Sequence, residues 1–209
     1  MTQLLLLRHG MTTWANSGRL AGWTPGVHLN DEGCRQAEAL SVRLAAEKLA
    51  AIYSSPLERA VETAQIVAAP HELDAVVENG LGEVHYGEWS GKRFRQLMRT
   101  RLWKIIQTTP SLARFPGGES IREMQARAVG AVERVHMAHR KGVVALVSHG
   151  DIISVIIAHY AGMHLDLYQR LVIGLASLSV VTLEEEGARI ISINDTGHYT
   201  QSKEGVEKK

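Results

Sequence analysis

Cysteine is almost absent from this sequence of 209 residues, since Cys34 is its single occurrence. A lone cysteine cannot form an internal disulfide, and no apolar run is long enough for a signal segment or a membrane span. Neither sign of charge predominates, because 23 Lys and Arg residues stand against 22 Asp and Glu residues. The resulting net charge of +1 gives no general attraction to nucleic acid or to an anionic membrane. We therefore expect a soluble, cytoplasmic protein that has neither of them as a partner.

Hydrophobic residues make up 45% of the chain, which is ordinary for a globular protein of this length. We expect one domain over residues 1–201, followed by a polar, disordered tail at residues 202–209. Short apolar runs alternate with amphipathic segments, a pattern typical of α/β proteins. The predicted fold class is α/β, a three-layer α/β/α sandwich with a mostly parallel central sheet.

The apolar runs predict strands at residues 3–7, 50–54, 143–147, 176–183 and 189–193. The last two are expected to be edge strands joined by a turn, and the edge at 176–183 is a candidate for pairing across a homodimer. Two helices are predicted from apolar spacing, over residues 92–107 and 152–161. Three more are predicted where capping signals begin them: Asn30 as N-cap, a Ser55/Glu58 capping box with Pro56 at the first helical position, and a Ser120/Glu123 capping box.

The predicted helix over residues 92–107 has a basic face with two interpretations. Its apolar positions recur at helical spacing, and the other face carries Lys92, Arg93, Arg95, Arg99 and Lys104. The first interpretation is a solvated face, which is usual on a surface helix. The second is a lid that attracts an anionic substrate. The sequence favours the solvated face.

Two histidines directly follow predicted strands, in the RHG motif at residues 8–10 and the SHG motif at residues 148–150. Arg59 lies near the start of the helix that follows another strand. Because the carboxyl ends of parallel strands meet at one sheet edge, we expect these side chains to converge. Guanidinium groups bind phosphoryl oxygens with forked donors, and Gly150 lets the backbone approach a ligand closely. The sequence therefore predicts a site for a dianionic tetrahedral group.

His9 is predicted to act as a nucleophile, because neighbouring positive charge disfavours the imidazolium and leaves a nitrogen lone pair available. A proton donor for the leaving oxygen is expected in the segment 81–89, where Glu83 and Glu88 are both candidates. A carboxyl group beside a bound phosphate stays protonated, since like charge disfavours its anion. The residues themselves do not decide between the two glutamates.

Four segments resemble the motifs of the histidine phosphatase superfamily, also called phosphoglycerate mutase-like: LLLLRHGMTTW, SSPLERAVETA, LGEVHYGEWSG and VSHGD. They follow the family's order across nearly the whole chain. The resemblance implies the phosphoglycerate mutase-like fold, with His9 as the phosphorylated nucleophile and Glu83 as the acid that later activates water. It also implies phosphoryl or substrate contacts from Arg8, Thr12, Gly22, Arg59 and His149.

The chain departs from the family's usual residues at several positions of these motifs. Ala15 replaces a common asparagine, with Asn16 one place later; Ala21 replaces a threonine and Met11 a glutamate. Asp151 stands where a small apolar residue is frequent. Asp151 either provides a favourable charge at the N-terminus of its helix or contacts the substrate, and we prefer the first interpretation. These departures concern the substrate more than the chemistry.

Each candidate also has a purely structural interpretation. Taken alone, His9 and His149 would be interpreted as core histidines. Arg59 would be interpreted as a member of an ion pair on its helix, and Glu83 as a solvated loop residue. The presence of four motifs in the family's order argues against these structural interpretations. His85 and His198 are weaker site candidates. No HExxH motif or cysteine cluster is present, and arginines beside the site would repel a cation, so no metal is expected.

The sequence therefore predicts a metal-independent phosphomonoester hydrolase of the phosphatase branch, which acts on a small phosphorylated metabolite through a phosphohistidine. The alternative is a phosphomutase with the same phosphohistidine, and only that activity would require a bisphosphorylated primer. A third hypothesis is a phosphate-binding protein without turnover. The chain length and the FPGGES segment favour the phosphatase. No cofactor is otherwise expected, and no GxxxxGK motif indicates nucleotide hydrolysis.

Overall fold

The computed structural model describes residues 1–15 and 17–199 and contains a six-stranded sheet. The strands are β1 (Thr2–Arg8), β2 (Leu49–Ser54), β3 (Ala75–Val77), β4 (Gly142–Ser148), β5 (Leu178–Glu184) and β6 (Gly187–Asp195). Their order in space is β3-β2-β4-β1-β5-β6. The tail predicted at residues 202–209 lies outside the described residues.

The sheet is parallel from β3 through β2 and β4 to β1, whereas β5 pairs antiparallel with both β1 and β6. The prediction of a mostly parallel sheet is confirmed. Arg8 of β1 lies opposite Ser148 of β4, and Ser54 of β2 lies opposite Val147 of the same strand. Three neighbouring strands therefore end at the same edge of the sheet.

Helices cover both faces of this sheet. They are α1 (Asp31–Leu44), α2 (Glu58–Ala68), α3 (Phe94–Leu97), α4 (Arg101–Thr108), α5 (Ile121–Ala138) and α6 (Gly150–Tyr160). Leu4 and Leu6 of β1 pack in a core with α5 and α6, whereas Leu5 and Leu7 pack in a second core with α1 and α2. Alternate strand residues thus fill two cores, which confirms the three-layer sandwich. Within the described ranges, no helix is both long and apolar enough to cross a membrane.

Two of the predicted helix caps are confirmed. The side chain of Asn30 accepts a hydrogen bond from the backbone N–H of Gly33 at 2.8 Å, which begins α1. Ser120 and Glu123 form a reciprocal capping box at the start of α5. These local signals therefore set where α1 and α5 begin, and packing in the two cores places the two helices on opposite faces of the sheet.

The capping box predicted for α2 is wrong. The helix begins at Glu58 with Leu57 as N-cap, and no side chain caps it. Glu58 instead accepts a hydrogen bond from the N–H of Gly26 at 2.8 Å, and the Ser55 hydroxyl lies 2.7 Å from Nε2 of His149. The Ser55 hydroxyl also accepts a hydrogen bond from the N–H of Leu57 at 3.3 Å, two residues on rather than three, so the reciprocal capping box does not form.

The continuous helix predicted over residues 92–107 is also wrong, because the chain breaks between α3 and α4. Thr100 adopts an extended conformation, and its hydroxyl accepts a hydrogen bond from the N–H of Trp103 at 3.2 Å. A threonine in this arrangement caps a new helix rather than continuing the previous one.

The prediction that residues 176–183 form an edge strand is wrong, because β5 lies between β1 and β6. The hairpin partner β6 covers it, so the argument for dimer pairing at β5 no longer holds. At the opposite edge, the sequence analysis did not identify β3. Three residues are too few to produce a recognisable strand pattern.

Candidate active site

The strand ends deliver the predicted site residues to one pocket. His9 follows β1, His149 follows β4, and Arg59 is the second residue of α2, the helix after β2. The pocket has a volume of about 460 Å³. Every predicted site residue except His149 lines its wall: Arg8, His9, Thr12, Gly22, Arg59, Glu83 and Gly150.

His9 presents a neutral ring to this pocket. Its Nδ1 lies 2.7 Å from the carbonyl oxygen of Gly10. Because a carbonyl only accepts, Nδ1 carries the proton and Nε2 is unprotonated, and its lone pair accepts a hydrogen bond from Nε of Arg59 at 3.3 Å. Burial, together with the positive charges of Arg59 and Arg8, holds the pKa of His9 well below its usual range. His9 therefore offers an unprotonated nitrogen at neutral pH.

Two guanidinium groups beside His9 have donors that no described residue accepts. Nη1 of Arg8 donates to the carbonyl of Ile173 at 2.5 Å, and Nη2 of Arg59 donates to the carbonyl of Gly22 at 3.0 Å. Nε of Arg8 and Nη1 of Arg59 are buried without a hydrogen-bond partner among the described residues. Unpaired buried donors are costly, and an anion in the pocket would satisfy them.

His149 is completely buried behind Arg59 and Glu83. Its Nδ1 lies 3.3 Å from Nη2 of Arg59 and 3.7 Å from Oε2 of Glu83, and its ring centroid lies 5.1 Å from that of His9. Since Arg59 donates to Nδ1, the proton of the neutral ring is on Nε2, which faces Ser55. Burial and the charge of Arg59 hold its pKa well below the usual range. The structure brings His149 to the site, and its contact with a phosphoryl group stays a prediction.

The two candidate acids differ in their surroundings. Glu83 lines the pocket, whereas Glu88 is exposed and lies away from it. Burial and the negative charge of Asp151 raise the pKa of Glu83 to about 7, against the opposing charge of Arg59. A carboxyl group with this pKa is protonated in a large fraction of molecules at neutral pH, as a general acid requires. Of the two candidates, Glu83 is therefore the one that lies in the pocket, and its role as the acid stays a prediction.

Two side chains fix the segment that carries Glu83. Nε1 of Trp23 and Nη2 of Arg127 both donate to the Glu83 carbonyl oxygen, at 2.6 and 2.8 Å. Nη1 of Arg127 also donates to the carbonyls of Gly80 and Gly82 at 2.9 and 2.7 Å. The sequence analysis did not identify Arg127, because an arginine on an amphipathic helix carries no signal that distinguishes it from a solvated one.

Thr12 and two glycines complete the wall of the predicted phosphoryl site. Thr12 is buried. Gly22 has a φ of +53°, and a Cβ atom there would lie 2.9 Å from a ring carbon of Tyr86. A Cβ atom on Gly150 would lie 3.3 Å from Cζ of Arg8. Glycine at these positions therefore allows the backbone to form the wall without displacing its neighbours.

Asp151 belongs to the pocket wall as well as to the first turn of α6. The hydroxyl of Tyr86 donates to its Oδ2 at 3.1 Å, and burial raises the pKa of Asp151. The preferred interpretation, a charge that serves the helix N-terminus, is therefore incomplete. Ala15 and Ala21 also line the pocket, whereas Asn16 lies outside the described residues.

The weaker candidates lie away from the pocket. The ring of His85 stacks on Trp23 with 4.1 Å between centroids, and His198 contacts the carbonyl of Ala176 at 2.9 Å. The basic side chains within residues 92–107 are exposed and outside the pocket, as expected for a solvated face. In the part of the chain that the structure describes, no group of three or more His, Cys, Asp or Glu side chains is arranged to hold a metal ion.

Comparison with protein families matches residues 4–196 to the model of the histidine phosphatase superfamily, branch 1. Among curated proteins, the phosphoserine phosphatase 1 of Hydrogenobacter thermophilus is 32% identical over 203 residues, which cover 95% of this chain and 94% of the relative.

Solved structures give the same result. Bacillus stearothermophilus YhfR matches with a TM-score of 0.89 and 29% identity over 95% of this chain and 99% of its own. A phosphoserine phosphatase mutant from Entamoeba histolytica, in complex with phosphoserine, matches with a TM-score of 0.87 and 26% identity over 96% and 100% of the two chains. The fold expected from the resemblance is thereby confirmed.

Proposed function

The chain belongs to the histidine phosphatase superfamily, and from this premise we propose that it hydrolyses phosphate monoesters of small metabolites through a phosphohistidine at His9. The observation that carries the proposal is the unprotonated Nε2 of His9 beside unsatisfied guanidinium donors. A basic nitrogen flanked by free N–H groups suits attack on a dianionic phosphoryl group. In the proposed steps, no metal ion takes part.

Binding is the first proposed step. The phosphoryl oxygens accept hydrogen bonds from Nε of Arg8 and Nη1 of Arg59, the donors that lack other partners. Gly150 allows close approach at the N-terminus of α6, whose free backbone N–H groups favour an anion. The ester oxygen and the leaving group then extend along the remaining wall of the pocket.

Phosphoryl transfer to the protein is the second step. The lone pair of His9 Nε2 forms a bond to phosphorus while the bond between phosphorus and the ester oxygen breaks. Glu83 gives its proton to that oxygen, so the leaving group departs as a neutral alcohol and Glu83 becomes a carboxylate. Arg8 and Arg59 remain on the equatorial oxygens, where negative charge is concentrated in the transition state.

Hydrolysis of the phosphohistidine is the third step. The Glu83 carboxylate takes a proton from a water molecule, whose oxygen bonds to phosphorus as the bond to His9 Nε2 breaks. Inorganic phosphate leaves, Nε2 regains its lone pair, and Glu83 is again protonated. Each group therefore returns to its starting state after one turnover.

Phosphoserine is the first candidate substrate. One relative is named a phosphoserine phosphatase, and one structural neighbour is in complex with phosphoserine. A pocket of about 460 Å³ is of the size typical for sites that enclose small metabolites.

Phosphate release from a panel of phosphorylated metabolites, measured with EDTA present, tests the proposal. The panel contains phosphoserine, 3-phosphoglycerate and sugar phosphates. We expect release to persist in EDTA and to fall by a factor of about 10³ or more in His9→Ala. His159→Ala, which removes an exposed histidine from the end of α6, serves as the matched control and keeps full activity.

Other results would replace the proposal with a different function. Isomerisation without phosphate release, dependent on a bisphosphorylated primer, would indicate a phosphomutase. Ligand affinity that is equal in the unmodified protein and in His9→Ala, with no turnover in either, would indicate a binding protein.

A further inference from the structure

One wall of the pocket carries a carboxylate that the proposed reaction does not use. Asp151 lines the pocket, and its Oδ2 accepts a hydrogen bond from the hydroxyl of Tyr86 at 3.1 Å. Tyr86 is 7% exposed, so this donor is itself fixed by packing. No donor within residues 1–15 and 17–199 reaches Oδ1, which is also not enclosed by protein. Asp151 therefore presents one oriented acceptor oxygen to which no described residue donates.

This acceptor lies beside the phosphoryl site. Gly150, the residue before Asp151, is in contact distance of the Arg8 guanidinium, since a Cβ atom on it would lie 3.3 Å from Cζ of Arg8. Asp151 and the proposed acid, Glu83, both line this pocket. Glu83 has to reach the ester oxygen. The first atoms of the leaving group must consequently pass close to Asp151.

The charges around the leaving group are unequal. Arg8 and Arg59 direct their free donors to the phosphoryl group, and burial makes the ionised form of Asp151 costly without a partner. A leaving group with a hydrogen-bond donor would supply that partner. A leaving group with a carboxylate at the same place would meet a like charge in a partly buried setting, which is strongly unfavourable.

We propose that Asp151, oriented by Tyr86, is a specificity-determining residue that selects phosphate esters whose leaving group carries a hydrogen-bond donor, above all an ammonium group, within a few bonds of the ester oxygen. The inference rests on the proposed phosphatase function and specifies its substrate class. Arg19, an exposed side chain that also lines the pocket, offers a positive group to the same ligand. A zwitterionic leaving group therefore matches both charges.

Three small esters that differ in one group test this selection: O-phosphoethanolamine, 2-hydroxyethyl phosphate and phosphoglycolate. Their leaving groups carry an ammonium, a hydroxyl and a carboxylate at the same distance from the ester oxygen. The measured quantity is kcat/KM for each ester at one pH, with EDTA present. Ratios between esters cancel the change that Asp151 makes in the protonated fraction of Glu83, because that fraction belongs to the free protein and is common to all three esters.

We expect the unmodified protein to prefer O-phosphoethanolamine to phosphoglycolate, and Asp151→Asn to lower that ratio about tenfold or more. The hydroxyl ester should show an intermediate change. Tyr86→Phe should lower the ratio in the same direction but less, since Asp151 keeps its charge and loses its orientation. Asp74→Asn, which removes an equal charge from an exposed site before β3, should leave the ratio unchanged.

A ratio that is the same in Asp151→Asn, Tyr86→Phe and the unmodified protein would overturn the inference and leave the phosphatase intact. A uniform loss across the three esters would also overturn it, because it would show that Asp151 serves only Glu83 or the fold. Absence of turnover of any ester by the unmodified protein would instead refute the proposed function. If Asp151→Asn does not fold, the ratio of kcat/KM values measured in Tyr86→Phe tests the inference.

Discussion

Glu83 shows how single residues set the chemistry of this pocket. Its position on a glycine-flanked turn is local, but its protonation depends on burial and on the charge of Asp151, which together raise its pKa to about 7. The same burial keeps His9 neutral. One buried pocket therefore favours a protonated carboxyl group and an unprotonated imidazole at the same pH, as the proposed acid and the proposed nucleophile require.

Glu83→Gln is the first prediction at this scale. The amide has no acidic proton, so we expect kcat for alkyl phosphates to fall by about 10²–10⁴. With p-nitrophenyl phosphate, whose leaving group needs no proton, phosphorylation of His9 should survive while water activation fails. A burst of p-nitrophenol followed by a slow steady state is then expected in rapid-mixing experiments. The control Glu186→Gln, an exposed turn residue, should show neither effect.

The pH dependence of kcat/KM gives a second prediction. Glu83 must be protonated in the free protein, so kcat/KM should fall as the pH rises through about 7. Asp151→Asn removes a negative charge that raises the pKa of Glu83, so the fall should begin at a lower pH. Profiles with 2-hydroxyethyl phosphate in this variant and in Asp74→Asn test the shift. If the fall in kcat/KM stays at the same pH or moves to higher pH in Asp151→Asn, the assignment of this pKa to Glu83 is contradicted.

At the residue scale, the sequence analysis predicted the side chains that stand next to strand ends. Arg8 and His9 are recognisable because an apolar run positions them without any further information. The pairing of Tyr86 with Asp151 was not predictable, because the two residues are 65 positions apart and meet only through packing. Local patterns carry no information about such contacts.

At the scale of elements, α5 supports the segment that carries the acid. Arg127 donates five hydrogen bonds from this helix: three to the carbonyls of Gly80, Gly82 and Glu83, and two to the carboxylate of Glu119, with which it forms an ion pair. The segment itself consists of a short turn, so it has little regular hydrogen bonding of its own. Its geometry therefore depends on the helix against which it packs.

Arg127→Ala should release this segment. We expect kcat to fall about tenfold or more, because Glu83 is no longer held against the ester oxygen, and the unfolding free energy to fall by about 2 kcal/mol or more, because buried carbonyls lose their donors. Kinetics and thermal unfolding measure the two effects. The matched control is Arg134→Ala on the same helix, whose exposed ion pair with Glu78 should contribute less than about 1 kcal/mol.

The helices also show where sequence patterns fail. Apolar spacing correctly predicted α1, α5 and α6, and the side-chain caps of α1 and α5 formed as their local sequences indicate. The same spacing predicted one helix over residues 92–107, although Thr100 divides it. At Ser55, a capping signal was overridden by a hydrogen bond to His149. In both cases the hydroxyl group, of Thr100 or of Ser55, forms a hydrogen bond that the apolar spacing does not predict.

At the scale of the whole molecule, the three-layer architecture was predictable because β1 and β4 are apolar on both faces, which requires a cover on each side. The positions of the strands within the sheet were not predictable from the sequence. The order β4-β1-β5-β6 places β5 inside the sheet, and only the hairpin partner β6 determines that. Edge and interior strands of similar apolar composition look alike in a single sequence.

The sheet order also bears on how the protein is made. Both neighbours of β1 are strands from residues 142–184, and β4 alone joins β1 to β2. During synthesis, the first strand therefore emerges long before the segments that hydrogen-bond to it. Arg8 and Arg59 cannot be brought together until β4 has entered between them. The pocket that we propose for phosphate esters therefore cannot assemble until β4 has been synthesised, and until then the unpaired apolar strands form a surface to which a chaperone could bind.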